Sequence, residues 1–128
     1  MSVVVSWCRE LGRFGLAGGL ATGGHLAAMA LAIAAGAPPL AATIGGAVLG
    51  ALVNYALQYG YTFAARIPHA RALRRYALVT SAGWAFNAAA FQVLHAGARL
   101  DVAPAQILTT GLLALTNFLL YRSVVFHE

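Results

Sequence analysis

Three long stretches of this 128-residue chain hold no Asp, Glu, Lys or Arg. They run for 52 residues between Arg13 and Arg66, 23 between Arg75 and Arg99, and 20 between Asp101 and Arg122. A helix needs about 20 apolar residues to cross the hydrocarbon core of a bilayer. The first stretch therefore has room for two spans and a turn, and the others for one span each. Gly36-Ala37-Pro38-Pro39 supplies the turn, because Gly and Pro end helices readily. The spacing predicts an all-α membrane fold with four transmembrane helices, at about 14–35, 40–63, 75–96 and 104–124.

Composition points the same way. Apolar residues make up 61% of the chain and charged ones 9%, against about 25% charged in an ordinary soluble domain. A soluble domain this small keeps too much of its surface wet to hide so many apolar groups. Disorder needs the opposite composition. Ala32-Ile33-Ala34 has the look of a signal-peptide cleavage site. The apolar run before it is longer than the usual about 7–15 residues, so an uncleaved first span is expected. Cys8 is alone, which leaves no internal disulfide and no cysteine-based metal site.

The chain has eight arginines, no lysine and a net charge of +5. Nucleic-acid binding is not expected, because the arginines separate apolar stretches rather than forming one basic face. Seven of them (Arg9, Arg13, Arg66, Arg71, Arg74, Arg75 and Arg122) fall on one side of the four spans, and Arg99 falls beside Asp101 on the other. The positive-inside rule then puts both termini and the central loop in the cytoplasm.

A shift of 62 lays Arg13-Phe14-Gly15-Leu16 on Arg75-Tyr76-Ala77-Leu78, and His25 on Asn87. A shift of 63 lays Asn54-Tyr55-Ala56-Leu57 on Asn117-Phe118-Leu119-Leu120, and Phe63 on Phe126. The chain thus reads as a single transmembrane domain of two tandem two-helix repeats, about 13–63 and 75–126, joined by a cytoplasmic loop at 64–74. Both repeats begin and end on the same face, so an axis along the membrane normal relates them.

The segments RFGLAGGLAT at 13–22, NYALQYGYTF at 54–63, RRYALVTSAGWAFN at 74–87 and NFLLYRSVVF at 117–126 carry a family likeness. In this order and spacing the chain resembles the GtrA-like family, small four-helix membrane proteins associated with polyprenyl-phosphate-linked sugars. The resemblance extends from about Arg13 to Phe126. Tyr59 stands where the family usually has a basic residue, and Val124 where it has a late aromatic. The resemblance implies a multi-pass protein of the bacterial cytoplasmic (inner) membrane whose partner is a polyprenyl-phosphate sugar lipid. It implies translocation of that lipid, or support of a membrane glycosyltransferase that uses it, with no cofactor.

Polar side chains within a bilayer are costly and are functional candidates by default. His25 lies twelve residues beyond Arg13, about 18 Å along a helix, and Asn87 lies at the same depth in the second repeat. Gly18, Thr22 and His25 share one face of the first helix, and Thr80 and Asn87 the matching face of the third. Asn54 and Gln58 are i, i+4 neighbours, with Asn117 and Tyr121 as counterparts. The set reads as a path for a sugar headgroup, or as interhelical hydrogen bonding worth about 0.6–2 kcal/mol per contact.

Gly15, Gly19 and Gly23, and Gly46 with Gly50, read as positions of close helix packing. Arg13, Arg74, Arg75 and Arg122 sit at the cytoplasmic helix ends, where guanidinium forks match phosphate oxygens. They are the candidate phosphate-binding residues; topology marking alone is the alternative. Tyr55, Tyr59, Tyr61 and Tyr76 read as an interfacial belt, and Trp84 as a core residue. Pro68 is expected to open a short interfacial helix leading into the third span.

An enzyme is not expected. No carboxylate lies in a span to serve as general acid or base, and neither catalytic nor metal-ligand spacing is present. The membrane glutamate of small multidrug exporters has no counterpart. The one-sided arginines fit poorly with the antiparallel dimer of a small fluoride channel. The expectation is a carrier of a polyprenyl-phosphate monosaccharide, working as a homodimer. The alternative is a non-transporting adaptor that docks a glycosyltransferase on the Arg66–Arg75 segment. An ion channel or exporter is a more remote reading.

Overall fold

The computed structural model describes residues 2–128. They hold four helices long and apolar enough to cross a membrane, and no strand. Helix α1 spans Val3–Ala34, and Ser2 caps it by accepting the Val5 N–H at 3.4 Å. It ends in a Schellman turn: Gly36 N–H donates to Ile33 O at 3.0 Å, and Ala37 N–H to Ala32 O at 2.9 Å. Gly36 sits at φ +97°, a conformation that a residue without Cβ adopts freely. Pro39, whose missing N–H is no loss in a first turn, then opens α2 (Pro39–Leu57).

Helix α3 spans His69–Gln92 and α4 spans Val102–Leu120. Each of α2, α3 and α4 widens into a closing π-helical turn, over Gln58–Thr62, Val93–Gly97 and Tyr121–Val125. The turns close with i+5 bonds: Phe63 N–H to Gln58 O, Ala98 N–H to Val93 O, and Phe126 N–H to Tyr121 O, at 2.9–3.0 Å. Ala64 (φ 45°) and Arg99 (φ 59°) then reverse the chain in the left-handed region, where a residue with a Cβ is strained by about 1–2 kcal/mol.

Two helices start earlier than the charge pattern predicts. α1 begins at Val3 rather than near residue 14, and α3 at His69 rather than 75. Charges fix where a span meets water, but arginine and glutamate are good helix formers and do not stop a helix. The short interfacial helix expected after Pro68 is thus the first turns of α3 itself, and the connection expected at 64–74 ends before His69. α4 begins at Val102, with Pro104 accommodated in its first turn.

The chain divides into two compact units, Met1–Ala65 and Arg66–Glu128. Each is an antiparallel helix pair. In the first unit α2 buries Ala42, Gly46, Tyr55, Gln58 and Thr62. In the second, α4 buries Ala105, Thr109, Phe118, Tyr121 and Val125. Every member of the second set lies 63 residues after its partner in the first, so the two pairs pack in the same register. The outward faces are apolar, with Leu40 and Ile107 more than 70% exposed. Such faces are expected of spans whose solvent is lipid.

Candidate functional site

Small residues bring α1 and α2 together in the first unit. A Cβ on Gly46 would lie 2.7 Å from His25 Cδ2 and 2.8 Å from His25 O. A Cβ on Gly50 would lie 3.0 Å from His25 Cβ and 3.2 Å from Ala21 O. His25 is thereby pressed against the α2 backbone, and its Nε2 is buried without a partner among the described residues. Toward the other end, Gln58 is fully buried. Its Nε2 donates to Asn54 Oδ1 at 3.1 Å and to Phe14 O at 3.5 Å, while its Oε1 has no partner among the described residues. One turn on, Thr62 is 3% exposed and its Oγ1 is also without a partner.

Arg13 closes this end of the unit. Its Nη1 donates to Tyr61 O at 3.3 Å, and its guanidinium lies 5.1 Å from the centre of the Tyr61 ring, within cation–π range. The contact supplies a donor to a carbonyl of the closing turn of α2, where the helix dipole favours positive charge.

In the second unit Arg75 Nη1 donates to both Val124 O and His127 O at 3.0 Å. Tyr61 and Val124 are 63 residues apart and Arg13 and Arg75 are 62 apart, so aligned arginines hold aligned carbonyls. Thr80 Oγ1 and Tyr121 Oη are hydrogen-bonded at 3.0 Å, and the Tyr76 and Tyr121 rings lie 5.4 Å apart. Small size is supplied here by α3: a Cβ on Gly83 would lie 3.2 Å from Leu113 Cδ1 and 3.4 Å from Asn117 Oδ1. Asn117 Oδ1 is buried and has no partner among the described residues.

The expected path residues therefore separate. In the first unit, His25, Asn54 and Gln58 face the helix pair, whereas Thr22 is exposed. In the second, Thr80, Asn117 and Tyr121 face the pair, and Asn87 is half-buried. Arg122 is half-buried in its π-helical turn. Arg74 parts from its neighbour Arg75 and lines an open cavity with Pro68, Ala70 and Arg71.

Several structural expectations change. Gly15, Gly19 and Gly23 have nothing within 4 Å of a Cβ, so close packing belongs to Gly46 and Gly50. Trp84 is 61% exposed rather than in a core, and Tyr55 and Tyr76 are buried rather than at the surface. Thr62 was not singled out by sequence reasoning. The signal available was its place one turn beyond Gln58, at the last turn of an apolar span.

The sequence model of the family described as GtrA/DPMS, transmembrane domain, matches residues 13–126. No curated protein and no solved structure matches the chain.

Proposed function

We propose, from the premise that this chain belongs to the GtrA/DPMS transmembrane-domain family, that it moves a polyprenyl-phosphate-linked monosaccharide across the bacterial cytoplasmic membrane. The observation that carries this reading is a set of buried polar atoms in apolar helices. His25 Nε2, Gln58 Oε1, Thr62 Oγ1 and Asn117 Oδ1 have no hydrogen-bond partner among the described residues. Leaving such a group unanswered costs about 1–3 kcal/mol. Lipid tails offer nothing to bond with, whereas a sugar presents a hydroxyl at nearly every carbon.

In this reading the arginines at the helix ends attract the phosphate, with Arg75 and Arg122 foremost. The sugar exchanges water for the polar atoms inside the spans, and the isoprenoid tail stays in lipid. The protein acts as a carrier rather than an enzyme, because its spans hold no carboxylate for acid–base chemistry. Net movement follows consumption of the sugar on the far side, by a membrane glycosyltransferase that is a natural partner. A homodimer would supply a thicker wall around the headgroup.

The test is reconstitution of the purified protein in liposomes with a fluorescent polyprenyl-phosphate sugar. Movement across the bilayer should exceed that in protein-free vesicles. The Arg75→Ala, Arg122→Ala double variant should slow it at least about tenfold, given about 1.5–3 kcal/mol for a charge-assisted bond. Movement no faster than in empty vesicles would reject the carrier and leave recruitment of a glycosyltransferase to the Arg66–Arg75 segment.

A further inference from the structure

The arginines of the second unit do two different things. Arg75 turns to the end of α4 and is engaged by two backbone carbonyls. The side chains of Arg71 and Arg74 make no hydrogen bond or ion pair among the described residues, and both residues line one open cavity of about 290 Å³ with Pro68 and Ala70. Three residues apart on a helix, their side chains rise from the same face.

The sequence around them is basic. Arg66 and His69 flank the same segment, and no Asp or Glu stands anywhere between Glu10 and Asp101. The positive end of the α3 dipole lies here too: Pro68 offers no side-chain cap, and the first turn has no acidic residue. Two guanidinium groups beside a positive helix end repel one another unless an anion joins them.

Depth identifies the anion. The charge-free stretch of α3 begins at Tyr76, so Arg74 and Arg71 precede it by two and five residues, about 3 and 8 Å along the helix. The headgroup layer is about 5–8 Å deep on each side of the hydrocarbon core. Both arginines thus lie at the level of lipid phosphates. Leu73, between them in sequence, is exposed and offers an apolar surface to an acyl chain.

We infer that the Arg71–Arg74 cavity is a binding site for the phosphodiester of an anionic bilayer phospholipid. It moves Arg74 from the substrate-phosphate set, which keeps Arg13, Arg75 and Arg122, and does not depend on the translocation reading. The bound lipid neutralises the head of α3 and fixes the depth at which the second helix pair sits.

The experiment uses the full chain in nanodiscs and counts lipids retained after extraction by native mass spectrometry. The discs contain phosphatidylglycerol or phosphatidylcholine, and the proteins are wild type and the Arg71→Gln, Arg74→Gln double variant. Helical content by circular dichroism establishes that the variant is folded. Wild type should retain phosphatidylglycerol over phosphatidylcholine, and the variant should bind phosphatidylglycerol about thirty-fold more weakly. That figure is two charges at about 1 kcal/mol each, with 1.4 kcal/mol per tenfold. Millimolar inorganic phosphate should not displace the lipid. Equal retention by folded variant and wild type, or no preference for the anionic lipid, would overturn the site. Displacement by inorganic phosphate would assign the cavity to a soluble anion instead.

Discussion

In the second helix pair Thr80 and Tyr121 bond across at 3.0 Å, and the two hydroxyls answer one another. The positions aligned with them in the first pair are Gly18 and Gln58, and there Gln58 Oε1 is buried with no partner among the described residues. The contrast extends along the spans. Three unanswered atoms (on His25, Gln58 and Thr62) belong to the first pair, and one, on Asn117, to the second. Aligned arginines hold aligned carbonyls in both, yet Arg75 holds two at 3.0 Å and Arg13 one at 3.3 Å. A shared packing register therefore carries two polar interiors. The second answers more of its own polar groups, and the first leaves more of them without a partner among the described residues.

The largest expected effect comes from filling the narrowest approach. Gly46→Leu would drive a Cβ to within 2.7–2.8 Å of the His25 ring and backbone. It should destabilise the first pair by about 1–3 kcal/mol or more. At the aligned position of the second pair, Thr109→Ala removes a side-chain bond to Ala105 O one turn back and one buried methyl group, a loss of about 1–2 kcal/mol. Thermal unfolding in detergent measures both, and equal losses would break the contrast in packing.

The arginine clamps come next. Arg75→Ala should speed amide exchange in the last turn, Tyr121 to His127, as two carbonyls lose their donor. Arg13→Ala should loosen Gln58 to Phe63 less, since one longer bond and a ring contact are lost. Hydrogen exchange read by mass spectrometry ranks the two, at about 1–2 kcal/mol and about 1 kcal/mol of local stability.

The smallest effect is a gain. Gly18→Ser would place a hydroxyl where the second pair has Thr80, with nothing within 4 Å to clash with its Cβ. Gly18→Ala raises helix propensity alone, by about 1 kcal/mol, and Ser is the poorer helix former. If the hydroxyl reaches Gln58 Oε1, Ser should match or exceed Ala in stability. That advantage should disappear in a Gln58→Leu background.

The spans were legible in the sequence because lipid is a uniform solvent: charge-free length alone locates what must cross it. Gly36 and Pro39 likewise announce their turn by chemistry. Helix starts were not legible from charge, because Arg9, Glu10 and Arg71 to Arg75 are as content in a helix above the membrane as outside one. The π-helical turns were missed because a helix that widens by one residue leaves the apolar composition unchanged.

Within the candidate site, His25, Gln58 and Asn117 stood out as polar groups in apolar runs. Thr22 shared that signal yet faces away, since one helix has faces toward both its partner and lipid. The glycines show the same limit. Gly15, Gly19 and Gly23 have the same four-residue spacing as Gly46 and Gly50, and only the partner's surface distinguishes them. That Arg74 leaves Arg75 for Arg71 follows from side-chain direction, which spacing along a helix does not fix.

The most direct measurement is the rate of transbilayer movement of a polyprenyl-phosphate sugar by the Gln58→Leu variant, beside its thermal stability. Replacing Gln58 removes an unanswered buried acceptor along with two bonds of its Nε2, so the stability should change by no more than about 1–2 kcal/mol. Transport should fall at least about tenfold, as a sugar hydroxyl loses its partner. The Thr80→Val variant of the second pair should do the reverse, losing stability more than rate. A folded Gln58→Leu protein that transports at the wild-type rate would contradict the account.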